Sequence, residues 1–279
     1  MSCPANKHER NNDPTRIDLP CKKWERVLEC SAIRKWLVLV ASCTLVQGAH
    51  AAEALVAVAA NFSAPMKIIA QRFERETGHR IRMSFGSTGQ FYAQIKNGAP
   101  FAILLAADAH TPTTIEREGL GVASSRFTYA YGKLVLWSKK TGLVDGNGAV
   151  LSSGALDNIA IANPKLAPYG AAAVEVIDRL GLADKLASKI VEGTSVSQAY
   201  QFVVSGNASM GFVALSQVYE NGQIKEGSAW IVPSDLYEPI KQDAIILNAG
   251  RGNLAADSLM KFLRGDQARS VMRSFGYEH

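Results

Sequence analysis

Cysteine is missing from most of this 279-residue chain. The four cysteines are Cys3, Cys21, Cys30 and Cys43, so all of them lie within the first 43 residues. The long remainder therefore has no disulfide framework and no thiol chemistry.

Common enzyme motifs are also missing. The sequence has no H-E-x-x-H, no G-x-S-x-G and no G-x-G-x-x-G after a strand. Beyond residue 51 the histidines are His79, His110 and His279, and no two of them have the spacing of metal ligands. Asp and Glu are interspersed with Lys and Arg, the usual pattern of a solvated helix face. We therefore expect a protein that is not an enzyme.

The chain has little excess charge once its N-terminal segment is set aside. Of 30 Lys and Arg and 25 Asp and Glu, 8 basic and 5 acidic residues fall in residues 1–51. That leaves 22 basic against 20 acidic residues, a net charge of about +2. Such a balance does not predict the basic surface that nucleic-acid binding needs, so we expect no nucleic-acid partner.

The N-terminal 51 residues have the composition of an export signal. Basic residues between Lys22 and Lys35 precede the apolar run Trp36–Val46, which is far shorter than the roughly 20 residues of a transmembrane helix. Ala49-His50-Ala51 then places small residues where a signal peptidase reads them. We predict a leader and signal peptide over residues 1–51, cleavage before Ala52 and export from the cytoplasm.

A second interpretation of this segment stays open. Val40-Ala41-Ser42-Cys43 resembles a lipoprotein box, which would leave the protein anchored through Cys43. The A-x-A site is the better placed of the two, so we expect cleavage before Ala52 rather than lipid anchoring.

Residues Glu53–Met66 contain the first candidate binding element. The apolar run Ala54–Ala60 predicts a buried strand, and a helical pattern begins near Pro65 after a polar turn at Asn61–Ser63. The first turn of a helix has unpaired backbone N–H groups and carries about half a unit of positive charge. This unit is suited to bind an anion, although Ser and Asn in such turns are more often plain helix caps.

A second unit of the same kind follows. Arg80–Phe85 predicts a strand, and Gly86-Ser87-Thr88-Gly89 leads into a helical pattern that ends near Lys96. Glycines let the backbone approach a ligand closely, and Ser87 and Thr88 add hydroxyl donors. Two such turns after successive strands predict one crevice, where open α/β sheets bind ligands. The Gly-Lys-Ser/Thr ending of a phosphate-binding loop is absent.

Strand and helix patterns alternate along the rest of the chain, which predicts parallel sheets covered by helices. The extended segment Arg126–Lys139, broken at Gly132, and a second one at Tyr237–Leu247 are the expected crossings between two halves. We predict that residues 52–132 and 240–279 form lobe 1 and residues 133–239 form lobe 2. Two lobes joined by two crossings indicate a hinged ligand-binding protein.

The polar residues of the predicted turns are all hydrogen-bond donors, and no Asp or Glu lies among them. They are Asn61, Ser63, Ser87, Thr88 and Tyr169. A site that only donates suits an oxyanion without a proton of its own, because a protonated oxygen would face another donor. Each residue taken alone also has an ordinary structural role, as a cap or in packing.

Seven segments match one family in their order and spacing. They are VAVAANF, GSTG followed by YAQIKNGAP, a strand ending in AAD, RFTYAYGKLVLWS, IANPKLAPYG, IVEGTSVSQA and MGFVALSQ. By these segments the chain resembles the periplasmic molybdate-binding proteins, the solute-binding components of molybdate ABC importers. The resemblance covers essentially the whole chain after the signal.

The resemblance implies an α/β protein with the type II periplasmic binding fold, two three-layer α/β lobes joined by a two-segment hinge. It implies capture of molybdate or tungstate between the lobes, with no chemistry and no cofactor. Molybdenum would be present only within the oxyanion, without direct protein ligands. The implied partners are the permease and ATPase subunits of an ABC importer at the inner membrane, and we expect a monomer.

Carried over by position, the resemblance implies a six-residue anion site. The residues are Ala60, Asn61, Ser87, Thr88, Tyr169 and Val196, the last through its backbone N–H. One branch of the family has Ser in place of Asn61 and Tyr in place of Ala214. This chain follows the other branch, in which Tyr169 would supply the hydroxyl, and Thr88 replaces the commoner Ser. Ser63 is then expected to be a helix cap.

The sequence leaves other functions open. Sulfate, thiosulfate or phosphate would use similar turns, and the longer metal–oxygen bonds of molybdate make pocket size the deciding quantity. A secreted enzyme with an unrecognised site is a much weaker alternative, because no nucleophile–base pair is visible. A sensor or structural module that binds no small anion is the remaining class.

Overall fold

The computed structural model describes residues 51–153 and 156–279, and these residues form one compact unit. The predicted signal peptide, apart from Ala51, and the alternative lipid anchor at Cys43 lie outside the described residues. Within the described ranges, no helix is both long and apolar enough to cross a lipid bilayer.

From Glu53 onward the chain alternates between strands and helices. The strands are β1 (Glu53–Ala59), β2 (Arg80–Gly86), β3 (Ile103–Leu105), β4 (Phe127–Gly132), β5 (Leu134–Ser138), β6 (Ile159–Ala162), β7 (Ile190–Gly193), β8 (Met210–Ala214), β9 (Tyr219–Glu220), β10 (Gln223–Ile224), β11 (Ser228–Ile231) and β12 (Ile240–Ile246). The α-helices are α1 (Ser63–Thr77), α2 (Thr88–Lys96), α3 (His110–Arg117), α4 (Pro168–Arg179), α5 (Ala183–Leu186), α6 (Val196–Val204), α7 (Leu215–Val218), α8 (Leu254–Arg264) and α9 (Asp266–Ser274). A 3-10 turn, Ala60–Phe62, lies between β1 and α1.

The first sheet has the strand order β2-β1-β3-β12-β4. β1 pairs in parallel with β2 and β3, whereas β12 runs antiparallel to both β3 and β4. On α1, the buried side chains Met66, Ile69 and Phe73 recur at helical spacing and pack against this sheet. The terminal helices α8 and α9 pack in the same core, so the C-terminal end of the chain lies against the first sheet.

The second sheet has the strand order β11-β5-β8-β6-β7. β6 pairs in parallel with β7 and β8, and β5 runs antiparallel to β8 and β11. The prediction of parallel sheets is therefore right for β1, β2, β6 and β7, while β3 and β8 each have one parallel and one antiparallel neighbour. It is wrong for the short pair β9–β10 and, within the two large sheets, for β4, β5, β11 and β12. These four strands lie next to the crossings between the sheets, where antiparallel pairing needs no crossover helix.

Two stretches of chain join the sheets. β4 ends at Gly132 in the first sheet and β5 begins at Leu134 in the second, so Lys133 alone separates them. The chain returns between Ile231 of β11 and Ile240 of β12. Both crossings fall in or beside the extended segments that the sequence indicated, while the lobe boundaries themselves stay a prediction.

The sequence patterns predict helices that begin at Gln90 and Gln198, and the structure shows α2 and α6 beginning two residues earlier, at Thr88 and Val196. Each follows a serine whose side chain caps the helix. The Ser87 hydroxyl accepts a hydrogen bond from the backbone of α2, and the Ser195 hydroxyl accepts one from the backbone of α6. The caps make Thr88 and Val196 the first residues of their helices.

Tyr169 lies inside a helix rather than in the turn before it. Helix α4 begins at Pro168, because proline has a φ suited to the first helical position and lacks only an N–H that would be unpaired there. The expectation that Tyr169 belongs to a turn is therefore corrected to a place in the first turn of α4.

Ser63 is not a helix cap. The 3-10 turn Ala60–Phe62 continues directly into α1, and the N–H of Ser63 donates to the carbonyl of Ala60. The cap position of α1 is Phe62, which makes no side-chain capping bond. The expected role of Ser63 is wrong because the helical backbone is continuous at this point.

Asp243 provides a test of what holds β12 in the first sheet. Its side chain is fully buried, its Oδ2 lies 2.7 Å from Arg126 Nη1, and its Oδ1 accepts a hydrogen bond from Thr128. Asp243→Asn removes the charge from both interactions. Because a charge-assisted hydrogen bond is worth about 2 kcal/mol, we expect Tm to fall by roughly 4–8 °C in thermal unfolding.

The matched control is Arg82→Gln. Arg82 pairs with Glu53 at 3.6 Å on the surface, where the two side chains are 72% and 50% exposed. Loss of such a pair costs less than about 1 kcal/mol. A Tm of Asp243→Asn equal to that of Arg82→Gln would contradict the stabilising role of the buried pair.

Candidate functional site

The starts of four helical segments lie at the ends of paired strands. In the first sheet Ala59 pairs with Gly86, so the 3-10 turn after β1 lies beside the start of α2. In the second sheet Ala162 pairs with Gly193, so the segment leading to α4 lies beside the start of α6. Each sheet therefore presents two helical starts at one edge, as the sequence indicated for the first sheet.

Hydrogen bonds hold these two edges against each other. The N–H of Gly89 in α2 donates to the carbonyl of Leu166 just before α4, at 2.9 Å. Ser197 Oγ in α6 donates to the carbonyl of Ala60 at 3.3 Å. Each bond connects an element of the first sheet with one of the second, so the four helical starts converge on a common space.

At the start of α2, the hydrogen-bond acceptor of each backbone N–H group can be identified in turn. Gly89 donates to Leu166, and Gln90 donates to the hydroxyl of Ser87. The N–H of Thr88, the first residue of the helix, has no acceptor in the part of the chain that the structure describes. It is the group left over at this helical start.

The same accounting holds for the other three helical starts. In α4 Pro168 has no N–H and Gly170 donates to Ala167, which leaves Tyr169. In α6 the backbone bonds start at Gln198, so the N–H groups of Val196 and Ser197 are left, and Val196 is the predicted site residue of the two. The N–H of Asn61 in the 3-10 turn likewise finds no acceptor within residues 51–153 and 156–279. Four of the six predicted residues thus carry an unpaired backbone donor.

The remaining two predicted residues contribute differently. The Ala60 carbonyl accepts hydrogen bonds from Ser63 and Ser197 and so ties the first turn to α6. Ser87 caps α2 through its side chain, and its own N–H donates to Gln90 Oε1. Both residues fix the backbone beside the unpaired donors.

Thr88 also presents a hydroxyl. Its Oγ1 accepts a hydrogen bond from the N–H of Ala107 at 3.0 Å, which fixes the side chain and leaves the hydroxyl hydrogen for another acceptor.

Asp108 follows Ala107 in the chain, and its carboxylate accepts hydrogen bonds from Thr111 in the first turn of α3. Burial raises the pKa of Asp108, and its bonded donors belong to α3 rather than to the candidate site.

The side chain of Asn61 binds other parts of the protein. Its Nδ2 donates to Gln242 Oε1 at 3.0 Å and to the hydroxyl of Tyr277 at 2.9 Å. Its carbonyl accepts from Ser216 Oγ at 2.7 Å and from Tyr277. Both amide hydrogens therefore have protein acceptors, so the donor that Asn61 can offer a ligand is its backbone N–H.

The hydroxyl of Tyr169 belongs to the same buried network. It accepts a hydrogen bond from Gln242 Nε2 at 3.2 Å. Burial raises the pKa of Tyr169 well above its ordinary value and raises the pKa of Tyr277 to about 12. Both hydroxyls therefore stay protonated throughout the physiological pH range.

The whole site is closed to solvent. The predicted residues Ala60, Asn61, Ser87, Thr88, Tyr169 and Val196 are each at most 5% exposed. Electrostatic interactions strengthen in such a water-poor environment.

A surface groove of about 510 Å³, bordered by Lys139, Lys140 and Asn207, contains none of the six predicted site residues. In the described parts of the chain, no cluster of three or more His, Cys, Asp or Glu could hold a metal ion.

Sequence analysis missed the three residues that surround Asn61. The polar run Lys241-Gln242-Asp243 interrupts the apolar residues of β12, and such a run within a strand is a usable signal for a buried polar residue. Ser216 and Tyr277 gave no such signal, because they meet Asn61 only through the fold, from 155 and 216 residues away.

The chain resembles known solute-binding proteins along nearly all of its described length. Residues 54–278 match the family model described as bacterial extracellular solute-binding protein. The chain is 56% identical over 246 residues to the molybdate-binding protein ModA of Azotobacter vinelandii, which covers 88% of this chain and 98% of that relative. It is 50% identical over 229 residues to ModA of Rhodobacter capsulatus, with 82% and 89% covered.

A solved structure shows the same architecture. The structure of the Azotobacter vinelandii periplasmic molybdate-binding protein superposes on this chain with a TM-score of 0.79 at 42% identity. The match covers 81% of this chain and 99% of that one, and so includes both sheets. The predicted type II periplasmic binding fold is therefore confirmed.

The network around Asn61 predicts an effect on stability as well as on binding. Asn61→Ala removes two buried hydrogen bonds and leaves Gln242 Oε1 with one donor fewer. Since a buried group that loses its partner costs about 1–3 kcal/mol, we expect Asn61→Ala to unfold roughly 2–12 °C below the wild type without any anion present.

Asn97→Ala serves as the comparison. The exposed Asn97 side chain donates to the backbone of the same helix, and its loss should cost less than about 1 kcal/mol. Equal Tm values for the two variants would show that the Asn61 network contributes nothing to the ligand-free fold.

Proposed function

The chain belongs to the family of bacterial extracellular solute-binding proteins, and we propose that it captures molybdate or tungstate and delivers the anion to an ABC importer. The 56% identity to a molybdate-binding protein supports this choice of ligand. The protein binds its ligand without transforming it, so it is a carrier rather than an enzyme. Sulfate, thiosulfate and phosphate are the alternative ligands.

The observation that carries the proposal is the convergence of unpaired backbone donors from both sheets. Asn61 and Thr88 contribute N–H groups from the first sheet, and Tyr169 and Val196 from the second. Each helical start adds about half a unit of positive charge. Hydrogen bonds to an ionised acceptor are roughly twice as strong as neutral ones. These neutral donors can therefore offset the desolvation of a bound dianion without a Lys or Arg in the site.

The donor set also favours one protonation state of the ligand. The proposed anion-facing groups are four backbone N–H groups and the hydroxyl of Thr88, which acts as a donor once Ala107 has bonded its oxygen. Hydrogen phosphate would direct its own proton at a donor and lose a bond. Molybdate, tungstate and sulfate carry no such proton, so only the size of the closed site could separate the first two from sulfate.

The cellular setting follows from the same proposal. We propose that a signal peptide over residues 1–51 exports the protein and is cleaved before Ala52, which leaves a periplasmic monomer. The permease and ATPase subunits of the importer at the inner membrane would receive the anion. The protein would need no resident cofactor, since molybdenum enters only as part of the cargo.

Thermal unfolding of residues 52–279 with molybdate, tungstate, sulfate and phosphate tests the ligand. A ligand at about 1,000 times its Kd adds about 4 kcal/mol to stability, so Tm should rise by roughly 8–16 °C with molybdate or tungstate. Comparable shifts with sulfate would support a broader oxyanion carrier. No shift with any of the four anions would contradict the proposed function.

Thr88 supplies a test of the site with a matched control. Thr88→Val removes the hydroxyl at nearly constant shape, so both the bond to the anion and the acceptor for Ala107 are lost. Because a hydrogen bond to a charged group is worth about 1.5–3 kcal/mol, calorimetry should give a molybdate Kd raised by roughly 10–100-fold.

Thr88→Ser keeps the hydroxyl and should stay within about threefold of the wild-type Kd, a difference below 1 kcal/mol. If Thr88→Val bound molybdate as tightly as Thr88→Ser, Thr88 would have no donor role in the site.

A further inference from the structure

Gln242 is a fully buried polar residue that the proposed anion site does not itself use. It lies in β12 and is 0% exposed. The pairing of β12 with β4 shifts register between Gln242 and Asp243, so a β-bulge marks this position. A buried amide is costly unless it is hydrogen-bonded, and bulges often re-aim a side chain. The hydrogen-bond partners of this amide therefore indicate why a polar side chain is buried here.

The amide of Gln242 joins the two halves of the anion site. Its Oε1 accepts hydrogen bonds from Asn61 Nδ2 at 3.0 Å and from the Tyr129 hydroxyl at 2.9 Å. Its Nε2 donates to the hydroxyl of Tyr169 at 3.2 Å. Asn61 belongs to the turn after β1, and Tyr169 belongs to α4 of the second sheet. One side chain thus connects two residues that carry unpaired backbone donors.

The connection passes through the crossing between the sheets. A Cβ atom on Gly132, the last residue of β4, would lie 2.1 Å from the Tyr169 hydroxyl oxygen and 2.5 Å from Gln242 Nε2. The absence of a side chain at Gly132 is therefore what lets Tyr169 reach Gln242. Because the two residues are carried by different sheets, separation of the sheets at this crossing would break their hydrogen bond.

We propose that Gln242 is a positioning residue that holds the backbone N–H groups of Asn61 and Tyr169 in one geometry around the anion. This inference rests on the proposed function. Gln242 does not touch the ligand. It acts through the side chains of Asn61 and Tyr169, and its bond to Tyr169 forms only when the two sheets are together.

Anion affinity should therefore depend on Gln242. The bound anion and the Gln242–Tyr169 bond favour the same closed arrangement of the sheets. If that bond is lost, a smaller fraction of the ligand-free protein is closed. The apparent Kd equals the Kd of the closed form divided by that fraction, so the apparent Kd rises. When the whole Gln242 amide is removed, Asn61 Nδ2 also loses one of its two acceptors and keeps only the Tyr277 hydroxyl.

The test compares molybdate Kd values by calorimetry well below the Tm of each variant. Gln242→Met keeps the length of the side chain and removes all three hydrogen bonds, so we expect Kd to rise roughly 10–100-fold. Tyr169→Phe removes the Gln242–Tyr169 bond but keeps the other two bonds of Gln242, and it should raise Kd roughly 3–10-fold. In the double variant, Tyr169→Phe should add nothing to the effect of Gln242→Met, because the shared bond is already gone.

Thr128→Val is the control for a purely structural effect. It removes a hydrogen bond to Asp243, the neighbour of Gln242 in β12, and within the described residues the Thr128 side chain has no hydrogen bond to any of the six site residues. We expect it to lower Tm while leaving the molybdate Kd unchanged. A structural role of Gln242 would give the same pattern, a lower Tm with the wild-type Kd.

The outcomes separate the inference from the proposed function. A wild-type protein that binds none of the oxyanions would overturn both. Wild-type binding together with an unchanged Kd in Gln242→Met would overturn the positioning role alone. If Gln242→Met does not fold, Tyr169→Phe decides, since it leaves the other two bonds of Gln242 intact: an unchanged Kd in that variant would also overturn the inference.

Discussion

The unpaired N–H groups at four helical starts are the constraint on which this structure depends. A buried backbone donor without an acceptor costs about as much as a lost hydrogen bond. Strand pairing aligns two starts in each sheet, serine caps fix where α2 and α6 begin, and bonds between the sheets bring the pairs together. Such an arrangement favours a ligand with several acceptor oxygens, which a tetrahedral oxyanion provides.

Binding by neutral dipoles suits a carrier that must also release its ligand. No Lys or Arg is among the six proposed site residues, so no fixed countercharge stays behind when the anion leaves. Asn61 and Thr88 are carried by the first sheet, Tyr169 and Val196 by the second. Separation of the sheets would therefore remove half of the donors at once and readmit water to the rest. The network at Gln242 couples this movement to the geometry of the site.

The sequence predicted the local features of this structure far better than the distant ones. The strand–turn–helix units near Asn61 and Thr88 could be read from apolar runs, glycines and caps, because each depends on neighbours in the chain. The antiparallel placement of β12 and the contacts of Gln242, Tyr169 and Tyr277 could not. These contacts join residues 61–216 positions apart, and no local pattern encodes them. For the same reason Asn61 could be predicted as a donor, but the partners of its amide could not.

The most direct test of the account is the backbone amide spectrum of residues 52–279 with and without molybdate. Hydrogen bonding to a dianion shifts an amide proton and its nitrogen strongly, and the account assigns that effect to Asn61, Thr88, Tyr169 and Val196. We predict that these four amides move together at one stoichiometric endpoint and show the largest downfield proton shifts. Shifts centred on the groove near Lys139 and Lys140, with these four amides unchanged, would contradict the account.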